Sequence, residues 1–563
     1  MEYRLTQHQS AIVLVICAGR DSVPKGISVF GGSATVGGQI RGAGKRGGYF
    51  AILVAAATAI SWAIPSAAAN PVAAQQLPIT VPSIREWTPG GTGFALSAES
   101  RIVAAGELSE AALLLSADLA RAGRVVPVAS GGARTGDIVL RVADDAPEAA
   151  ESYRISAGEQ LDVAARDRLG VLHGAQTVLQ WLRRHTAIPG GIAQDWPRYA
   201  ERGLMLDTGR EFFSVDWVKA RIRDAAYLRM NMVQLHLSDT QGFRLASRVH
   251  PEITSPQHYT AADIADIVDY ADSYGIEIVP EIDMPSHMNA ILAEHQDLVL
   301  RPQRTGPQDA IQDSIIGGGV GGRVDLTNPD AYRLIEDILR EFVPMFPGRY
   351  WHIGCDEYVA DYSRYPQLSE YATRAIGPGA AAGDVIVAFA NWATGIVESF
   401  GKTARAWNDG FDHASVLAPR PGIVMQYWSS SAGGLPWLPG GRTPAQLTAA
   451  GHPILNAAFT PTYFASGGPS AALNAPPELL YAWDPGLFVN GQRLPDSDLP
   501  LLRGSMVFLW CDDPDAMTPG ELIAPVRARL PIMAQHLWSG AGGVPYAEFA
   551  NRAAAVGWIS TES

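Results

Sequence analysis

The sequence contains few cysteines and no excess of basic residues. Its 563 residues include only 3 cysteines, and 43 Lys and Arg face 57 Asp and Glu, for a net charge of −14. So little cysteine excludes a disulfide-stapled miniprotein, and the acidic balance argues against a nucleic-acid partner. No CxxC pair or Cys/His spacing of a zinc site occurs, so the sequence implies no metal, and it indicates no cofactor.

Charge is also absent from a long stretch near the amino terminus. Residues 47–84 contain no charged side chain, and residues 49–64 are almost entirely apolar. Lys45 and Arg46 precede this stretch, and alanines at 67–69 follow it. A basic segment, a short apolar run and a small-residue end are typical of a secretory signal. We predict a leader over residues 1–75 and a secreted or cell-surface, extracellular protein. An uncleaved membrane anchor and a misassigned start codon remain alternatives.

The rest of the chain is predicted to form two units, 76–197 and 198–563. The first alternates short apolar runs with two helical stretches, one starting at an N-cap Ser109 and ending before Gly123 and one over residues 171–185. This pattern predicts a small α+β domain. Of the cysteines, Cys17 lies in the leader, and whether the other two, Cys355 and Cys511, pair is left open.

From residue 202 the sequence repeats a strand, a loop and a helix. Apolar strands are predicted at 203–207, 232–239, 276–283 and 349–357, and four more follow in ARAWND, IVMQYW, PILNAAF and MVFLWCDD. A helix is predicted to begin after the N-cap Thr260 and to stop at Gly275. Eight strands predict an α/β fold with a (β/α)₈ TIM barrel, and the glycine-rich segment 306–322 is predicted to be one of its loops.

Acidic and aromatic side chains collect at the ends of these strands. The acids are Asp207, Asp239, Glu281, Asp283, Asp356, Glu357, Asp409 and Asp512, and the aromatics are Trp351, Trp407, Tyr427, Trp428, Tyr463 and Trp510. Strand carboxyl ends meet on one face of a barrel, which is where barrel active sites lie. Clustered carboxyls have raised pKa values that suit general acid catalysis, and flat aromatic rings suit the apolar faces of sugars. Together they predict a carbohydrate pocket.

Four segments at these strand ends resemble one known family. RGLMLDTGREF (202–212), LHLSDTQGFRL (235–245), IVPEIDMPSH (278–287) and WHIGCDEY (351–358) are similar, in order and spacing, to the barrel motifs of the β-N-acetylhexosaminidases of glycoside hydrolase family 20. The resemblance implies an exo-acting retaining hydrolase of terminal β-linked GlcNAc or GalNAc. It also implies substrate-assisted catalysis through an oxazolinium intermediate, in place of a second enzyme carboxylate as nucleophile.

The resemblance also implies roles for single residues. Glu357 would protonate the glycosidic oxygen and later activate water, and Asp356 would orient the substrate's acetamido group. Neighbouring side chains on a regular strand point in opposite directions, so Asp356 and Glu357 could not easily act as a facing acid and nucleophile unless the strand end is irregular. Tyr463 would donate to the acetamido carbonyl, and three tryptophans would enclose its methyl group. Those tryptophans are Trp407, Trp428 and Trp510.

Further residues are implied around that centre. Arg202 would hold the 3- and 4-hydroxyls of the sugar, with an ion pair at the barrel rim as its alternative. A supporting hydrogen-bond shell would comprise Asp239, Asp283, His287 and His352, although both histidines could equally be core residues. Asp512 stands where many exo-acting members have a longer glutamate that reaches the outer hydroxyls of the sugar.

Two other functions remain open. The shorter Asp512 favours a lacto-N-biosidase-type enzyme that releases disaccharides, and a catalytically silent glycan-binding barrel on the cell surface would keep the aromatic residues alone. In every case the expected partner is a glycan ending in N-acetylhexosamine. Neither nucleic acid nor a membrane is expected, apart from an N-terminal anchor if the leader is retained. The sequence does not indicate an oligomeric state.

Overall fold

The computed structural model describes residues 77–303, 319–431 and 439–559. The predicted leader, with Cys17, lies outside the described residues, and so does most of the glycine-rich segment 306–322. Among the described residues, no helix is both long and apolar enough to cross a membrane.

The first unit is a mixed sheet of seven strands packed against two helices. Its strands follow the order β1-β9-β6-β7-β5-β3-β4, and β2 pairs separately with β8. The strand bounds are β1 Glu86–Pro89, β2 Phe94–Ala95, β3 Ile102–Ala104, β4 Val128–Ala129, β5 Ile138–Val142, β6 Tyr153–Ala157, β7 Leu161–Ala165, β8 Ala187–Ile188 and β9 Gly191–Asp195. Alternate residues of β6 are buried against the helices, as expected for a sheet with one covered face. The predicted small α+β domain is confirmed.

Its two helices span Ser109–Arg121 and Arg168–Arg184. Ser109 is the first helical residue and not the predicted N-cap, because a 3₁₀ turn over Gly106–Leu108 precedes it. The second helix begins after Asp167, whose carboxylate accepts the Gly170 N–H at 2.8 Å. That contact satisfies one of the unpaired amides at the helix start.

The second unit is a closed barrel of eight parallel strands. They are β10 Glu201–Asp207, β11 Met232–His236, β12 Glu277–Met284, β13 Tyr350–Gly354, β14 Thr403–Trp407, β15 Val424–Tyr427, β16 Ile454–Asn456 and β18 Leu502–Trp510. Each pairs with the next in this order, and β18 pairs with β10 to close the barrel. The predicted (β/α)₈ fold is confirmed. A short extra strand, β17 Tyr463–Ala465, pairs with the carboxyl half of β18.

Helices surround the barrel. Their bounds are Val215–Tyr227, Ala261–Ser273, Asn289–Leu292, Pro329–Phe342, Pro366–Tyr371, Asp384–Ser399, Pro444–Ala449, Phe459–Thr462, Pro477–Ala482, Ile523–Trp538 and Tyr546–Val556. The helix predicted from Thr260 begins as expected, because Thr260 and Asp263 cap each other reciprocally. Its chain reverses at Gly275, whose φ of +73° favours glycine.

Buried charges join the small sheet to the amino ends of the barrel strands. Arg229 lies between β10 and β11, and one of its guanidinium nitrogens lies 2.6 Å from Asp195 Oδ2, with both side chains fully buried. Asn231 Nδ2 donates to Glu151 Oε1 at 3.0 Å, and Arg202 forms an ion pair with the same glutamate. The acids belong to the sheet unit and their partners to the barrel.

Candidate active site

An irregular strand end brings the two neighbouring acids together. Strand β13 ends at Gly354, and the φ angles of Gly354, Cys355 and Glu357 are +72°, +79° and +50°. This left-handed path breaks the alternation of a regular strand. As a result His287 Nε2 lies 3.6 Å from Asp356 Oδ2 and 3.3 Å from Glu357 Oε2. The carboxyls of Asp356 and Glu357 therefore meet at one imidazole.

Glycine is required at the start of this turn. A Cβ atom at Gly354 would overlap Asp283 Oδ1, far inside any real contact distance. The close approach places the Asp283 carboxyl directly behind the strand end. Only the missing side chain at residue 354 leaves room for it.

His287 connects Glu357 to a buried acid. Its other ring nitrogen, Nδ1, lies 3.3 Å from Asp239 Oδ1. Burial opposes a charge on the imidazole, but Asp239 and Asp356 outweigh it and hold the pKa of His287 well above its usual value. A doubly protonated ring donates towards Asp239 on one side and the acid pair on the other. Asp239 also accepts from His236 Nε2 at 3.0 Å.

The carboxyls in this cluster have raised pKa values. Burial raises the pKa of Asp356 to about 6, against the opposing charge of His287. Burial and the charge of Asp356 raise the pKa of Asp283 and of Asp409 well above the usual range. Since they repel one another in a dry site, Asp283 and Asp409 hold their protons more tightly than free carboxyls do.

Asp409 links the acid pair to the aromatic residues. Its Oδ2 accepts the backbone N–H of Glu357 at 3.1 Å, and its Oδ1 accepts the Trp428 indole N–H at 2.8 Å. It follows β14, so the fifth strand of the barrel positions the residue that holds Glu357. The sequence pattern predicts this acid at a strand end but indicates no role for it.

Four of the six predicted aromatic residues come together on the barrel interior, whereas Trp351 and Tyr427 pack in the other core cluster, against Phe346 and Phe488. Ring centroids of Trp510 lie 5.9 Å from Trp407 and 5.7 Å from Tyr463. Trp428 packs against the same cluster. Trp407 is buried, with its indole N–H donating to Glu281 Oε1 at 2.8 Å, whereas the other three are half-buried. These rings form one wall beside the acids.

His352 supports that wall and does not contact the acid pair. Its ring lies 5.1 Å from that of Trp407, and it accepts the Gly354 N–H at 3.1 Å. Burial lowers its pKa to about 4, so it is neutral. Burial opposes a charge on Glu281 beside it, but His236, whose own pKa is raised, and Gln234, whose Nε2 donates to Glu281 Oε2 at 2.7 Å, help to hold the pKa of Glu281 at about 2.

The structure contradicts the expected role of Arg202. This residue is the second of β10, at the amino end of the barrel, and is fully buried. Its guanidinium pairs with Glu151, donates to Tyr199 O at 2.8 Å and lies 5.0 Å from the Trp538 ring. Substrate hydroxyls bound at the carboxyl face are out of its reach, since the strand runs between the two ends. The prediction that Arg202 binds the sugar is therefore wrong.

A second arginine of the same motif occupies the site. Arg210 follows the carboxyl end of β10, and its guanidinium nitrogens lie 2.8 Å from Asp207 Oδ2 and 2.7 Å from Asp239 Oδ2. Its guanidinium carbon lies 5.2 Å from the Trp510 ring centroid. Burial opposes its charge, but Asp239, Asp207 and Asp512 hold its pKa well above the usual value. The arginine is thus fixed, planar and part of the aromatic wall.

Asp512 lies beside Arg210 at the rim of the site. Burial raises the pKa of its carboxyl, and the charge of Arg210 opposes that rise. The backbone of Gly468 approaches closely, since a Cβ there would lie 2.8 Å from the Asp512 Cβ. Asp512 is half-buried, so part of its side chain faces solvent.

The two described cysteines are buried free thiols. Cys355 lies in the turn before the acid pair, and Cys511 donates its backbone N–H to Asp207 at 3.0 Å. Burial raises the pKa of both thiols, which keeps them protonated. They fill space beside the site and are not paired with each other.

Two donor sets within the cluster are close enough to hold a cation. They are His236 with Glu281 and Asp283, and Asp283 with His287 and Asp356, each with ligand atoms within 4.8 Å. Both sets depend on Asp283, whose raised pKa keeps it protonated and makes it a poor ligand. This arrangement is better suited to moving and holding protons.

Comparisons with known proteins assign the two domains to one family. Residues 199–541 match the family described as glycosyl hydrolase family 20, catalytic domain, and residues 77–196 match domain 2 of that family. The chain belongs to glycosyl hydrolase family 20. The predicted resemblance is confirmed, and this family 20 protein is a glycoside hydrolase.

Relatives of this family 20 hydrolase cover most of its length. It is 28% identical over 475 residues to a lacto-N-biosidase of Bifidobacterium bifidum, covering 82% of this chain and 40% of that protein. It is also 28% identical over 492 residues to a β-N-acetylhexosaminidase of Cellulomonas fimi, covering 83% of this chain and 91% of that one. The chain thus spans less than half of the first relative and nearly all of the second.

Solved structures show the same architecture. The family 20 β-N-acetylhexosaminidase of Streptomyces coelicolor aligns with a TM-score of 0.65 at 28% identity, over 84% of this chain and 94% of that one. A mutant Streptomyces plicatus β-hexosaminidase in complex with its product GlcNAc aligns equally well, at 27% identity over 84% and 93% of the two chains.

Proposed function

We propose that this family 20 hydrolase is an exo-acting, retaining β-N-acetylhexosaminidase that removes terminal β-linked GlcNAc or GalNAc from glycans. The observation that carries the proposal is the meeting of Asp356 and Glu357 at His287 beside the aromatic wall. The two carboxyls share one imidazole and do not face each other across a cleft. The site therefore does not need a second carboxylate as nucleophile if the acetamido group of the substrate acts as the nucleophile.

Glu357 is assigned as general acid and then general base. Its carboxyl is 20% exposed, open to a glycosidic oxygen at the carboxyl face of the barrel. Protonated His287, backed by Asp239, lies 3.3 Å from it and can donate a hydrogen bond to the carboxylate that forms when Glu357 loses its proton. The protonated carboxyl gives its proton to the leaving group, and the resulting carboxylate takes a proton from water in the second step.

Asp356 is assigned to the acetamido group. As a carboxylate it accepts the substrate N–H and stabilises the positive charge of the oxazolinium ring, while protonated Asp283 supports it from behind. Tyr463 remains a phenol, because burial and nearby acids raise its pKa well above the usual value. It can therefore donate to the acetamido carbonyl oxygen throughout. The half-buried rings of Trp428 and Trp510 would enclose the methyl group, with Trp407 behind them.

Arg210 replaces Arg202 as the candidate for the sugar hydroxyls. A guanidinium has five N–H donors, and the contacts to Asp207 and Asp239 leave others available. Asp512 beside it supplies an acceptor at the rim. Together they offer a donor and an acceptor to neighbouring hydroxyls.

Hydrolysis of a nitrophenyl N-acetylglucosaminide tests the proposal. The protein should release nitrophenol, be inhibited by a thiazoline analogue of the oxazolinium intermediate, and lose about 10²–10⁴-fold in rate as Glu357→Gln. Glu478→Gln, on an exposed helix, is the matched control and should keep full rate. Undiminished turnover by Glu357→Gln would contradict the assignment.

The length of the released product needs a separate measurement. We propose monosaccharide release, because Arg210 and the half-buried Asp512 offer a donor and an acceptor to the hydroxyls of one terminal sugar beside the aromatic wall. Parallel assays with nitrophenyl GlcNAc and nitrophenyl lacto-N-bioside distinguish this from disaccharide release. A preference for the disaccharide would support the biosidase alternative, whereas glycan binding with no turnover would support the silent barrel.

We also propose that residues 1–75 act as an export leader, with 76–197 and 198–563 as the mature domains. The support is the basic, apolar and small-residue pattern before the first described strand. Amino-terminal sequencing of protein recovered outside the cells tests it. A mature chain that starts just after 67–69 is expected, and one that retains residues 49–64 would indicate an anchor.

A further inference from the structure

A cluster of histidines and carboxylates lies outside the residues assigned to hydrolysis. His250 and Glu252 flank the start of a 3₁₀ turn, Pro251–Ile253, after β11, and His295 precedes another, Gln296–Leu298, after β12. Asp337 reaches the cluster from helix Pro329–Phe342. Three separate segments of the barrel thus place two imidazoles and two carboxylates together.

The spacing of the donor atoms fits a tetrahedral metal. Glu252 Oε1 lies 3.1 Å from His250 Nδ1 and 3.3 Å from His295 Nε2, and all three atoms lie within 4.8 Å of one another. Zinc binds histidine nitrogen and carboxylate oxygen at about 2.0–2.2 Å, so neighbouring ligands of a tetrahedral ion are roughly 3.4 Å apart. Two of the three distances between the donor atoms are already close to this value.

The second nitrogen of His250 is oriented as in metal sites. His250 Nε2 lies 3.1 Å from Asp337 Oδ2, so its N–H donates to that carboxylate. Metal-binding histidines almost always donate their other ring N–H in this way, which directs the remaining lone pair at the metal. Here the other nitrogen, Nδ1, lies 3.1 Å from Glu252 Oε1 and would give up its proton on binding the metal.

His295 supplies an unused ligand atom. Its Nε2 is shielded from solvent and makes no hydrogen bond within the part of the chain that the structure describes. It faces the same glutamate oxygen as His250. A buried nitrogen without a hydrogen bond is costly, and a metal bond would satisfy it.

We propose that His250, Glu252 and His295 bind one zinc ion, with water in the fourth position and Asp337 orienting His250. Two imidazoles and one carboxylate form a donor set that zinc prefers. The ion would join the loops that follow β11 and β12. Those loops also carry Asp239 and His287, so zinc would stiffen the segments that support Glu357.

Metal binding by the full chain tests this. Protein without a histidine tag, stripped with a chelator, is titrated with ZnCl₂ by calorimetry, and one ion per chain is expected. His295→Gln and Glu252→Gln should each weaken binding at least tenfold, and Asp337→Asn about 10–100-fold. His185→Gln, which changes an exposed histidine on the other unit, should not alter it.

Absorption spectroscopy with cobalt tests the zinc site even if one of the variants misfolds. CoCl₂ should give the intense visible absorption of a tetrahedral ion, and that band should be absent in whichever ligand variant retains its far-ultraviolet circular dichroism. Zinc should raise the melting temperature of the unmodified chain only. Binding that survives the double change His250→Gln with His295→Gln would overturn the proposal. The absence of stoichiometric binding would also overturn it and would leave His250 as an imidazolium bridging two carboxylates.

Discussion

Replacing Asp356 by asparagine should slow hydrolysis strongly and stabilise the folded protein at neutral pH. Burial raises the pKa of this carboxyl from 3.8 to about 6, so the folded state binds its proton more tightly than the unfolded state does. Ionising it therefore costs stability as the pH rises between these values. The difference corresponds to at most about 3 kcal/mol, at about 1.36 kcal/mol per pH unit.

The upward shift of the Asp356 pKa determines how the stability of the parent protein depends on pH. Below about pH 4 the carboxyl is protonated in both states, and its ionisation penalty is absent. Above about pH 6 it is ionised in both, and the penalty is complete. The amide of the substituted side chain cannot ionise, so the advantage of Asp356→Asn over the parent should grow across this interval and then level off. The lost contact with His287 reduces the gain.

Urea unfolding followed by tryptophan fluorescence measures this, at a series of values from about pH 4 to about pH 7.5. Asp269→Asn, at an exposed helix position, is the matched control and should follow the parent at every pH. In parallel, kcat of Asp356→Asn should fall about 10²–10³-fold, as for loss of charge stabilisation in a transition state. If the parent and Asp356→Asn show the same pH dependence of unfolding, the buried-carboxyl argument fails.

Three further outcomes follow from the site. The pKa of Asp283 is raised, so the neutral variant Asp283→Asn should keep most of kcat/KM in the same nitrophenol assay. Asp283→Ala should lose about 10–100-fold. Equal losses in the two variants would show that Asp283 acts as an anion. Arg210→Lys loses the planar fork and should raise KM about tenfold with a smaller change in kcat, and an unchanged KM would remove Arg210 from the hydroxyl subsite. Arg202→Met removes the ion pair of Glu151, which keeps its contacts with Asn231 and His173, and should lower the free energy of unfolding by at most about 3–5 kcal/mol, with KM unchanged in the folded enzyme; a raised KM would reopen its role in binding.

The sequence predicted the barrel and its acidic face because local signals agree with the fold. Apolar strands followed by polar residues at regular intervals define the strand ends, and the reciprocal cap of Thr260 and Asp263 fixes the start of a helix. The acid pair and the aromatic wall then follow from strand direction alone. Each of these features is determined by residues that lie close together in the sequence.

The features that were not predicted depend on where a residue lies along its strand and on contacts between distant parts of the chain. Arg202 and Arg210 belong to one motif, but Arg202 is at the start of β10 and Arg210 lies beyond its end. The rule that active sites lie at carboxyl ends could have separated them. The turn at Cys355 and Glu357 could not be foreseen, because positive φ in residues other than glycine is imposed by packing.

The buried ion pairs between the small sheet and the barrel limit how this enzyme can be engineered. A shortened chain beginning at residue 198 would leave Arg229 without Asp195, and Arg202 and Asn231 without Glu151. Where a charge stays buried after losing its partner, the loss is about 3–5 kcal/mol, a large part of the roughly 5–15 kcal/mol by which domains are stable. The catalytic barrel is therefore expected to lose stability when it is separated from the small sheet. A chimera with another family member's barrel would have to exchange both sides of these contacts together.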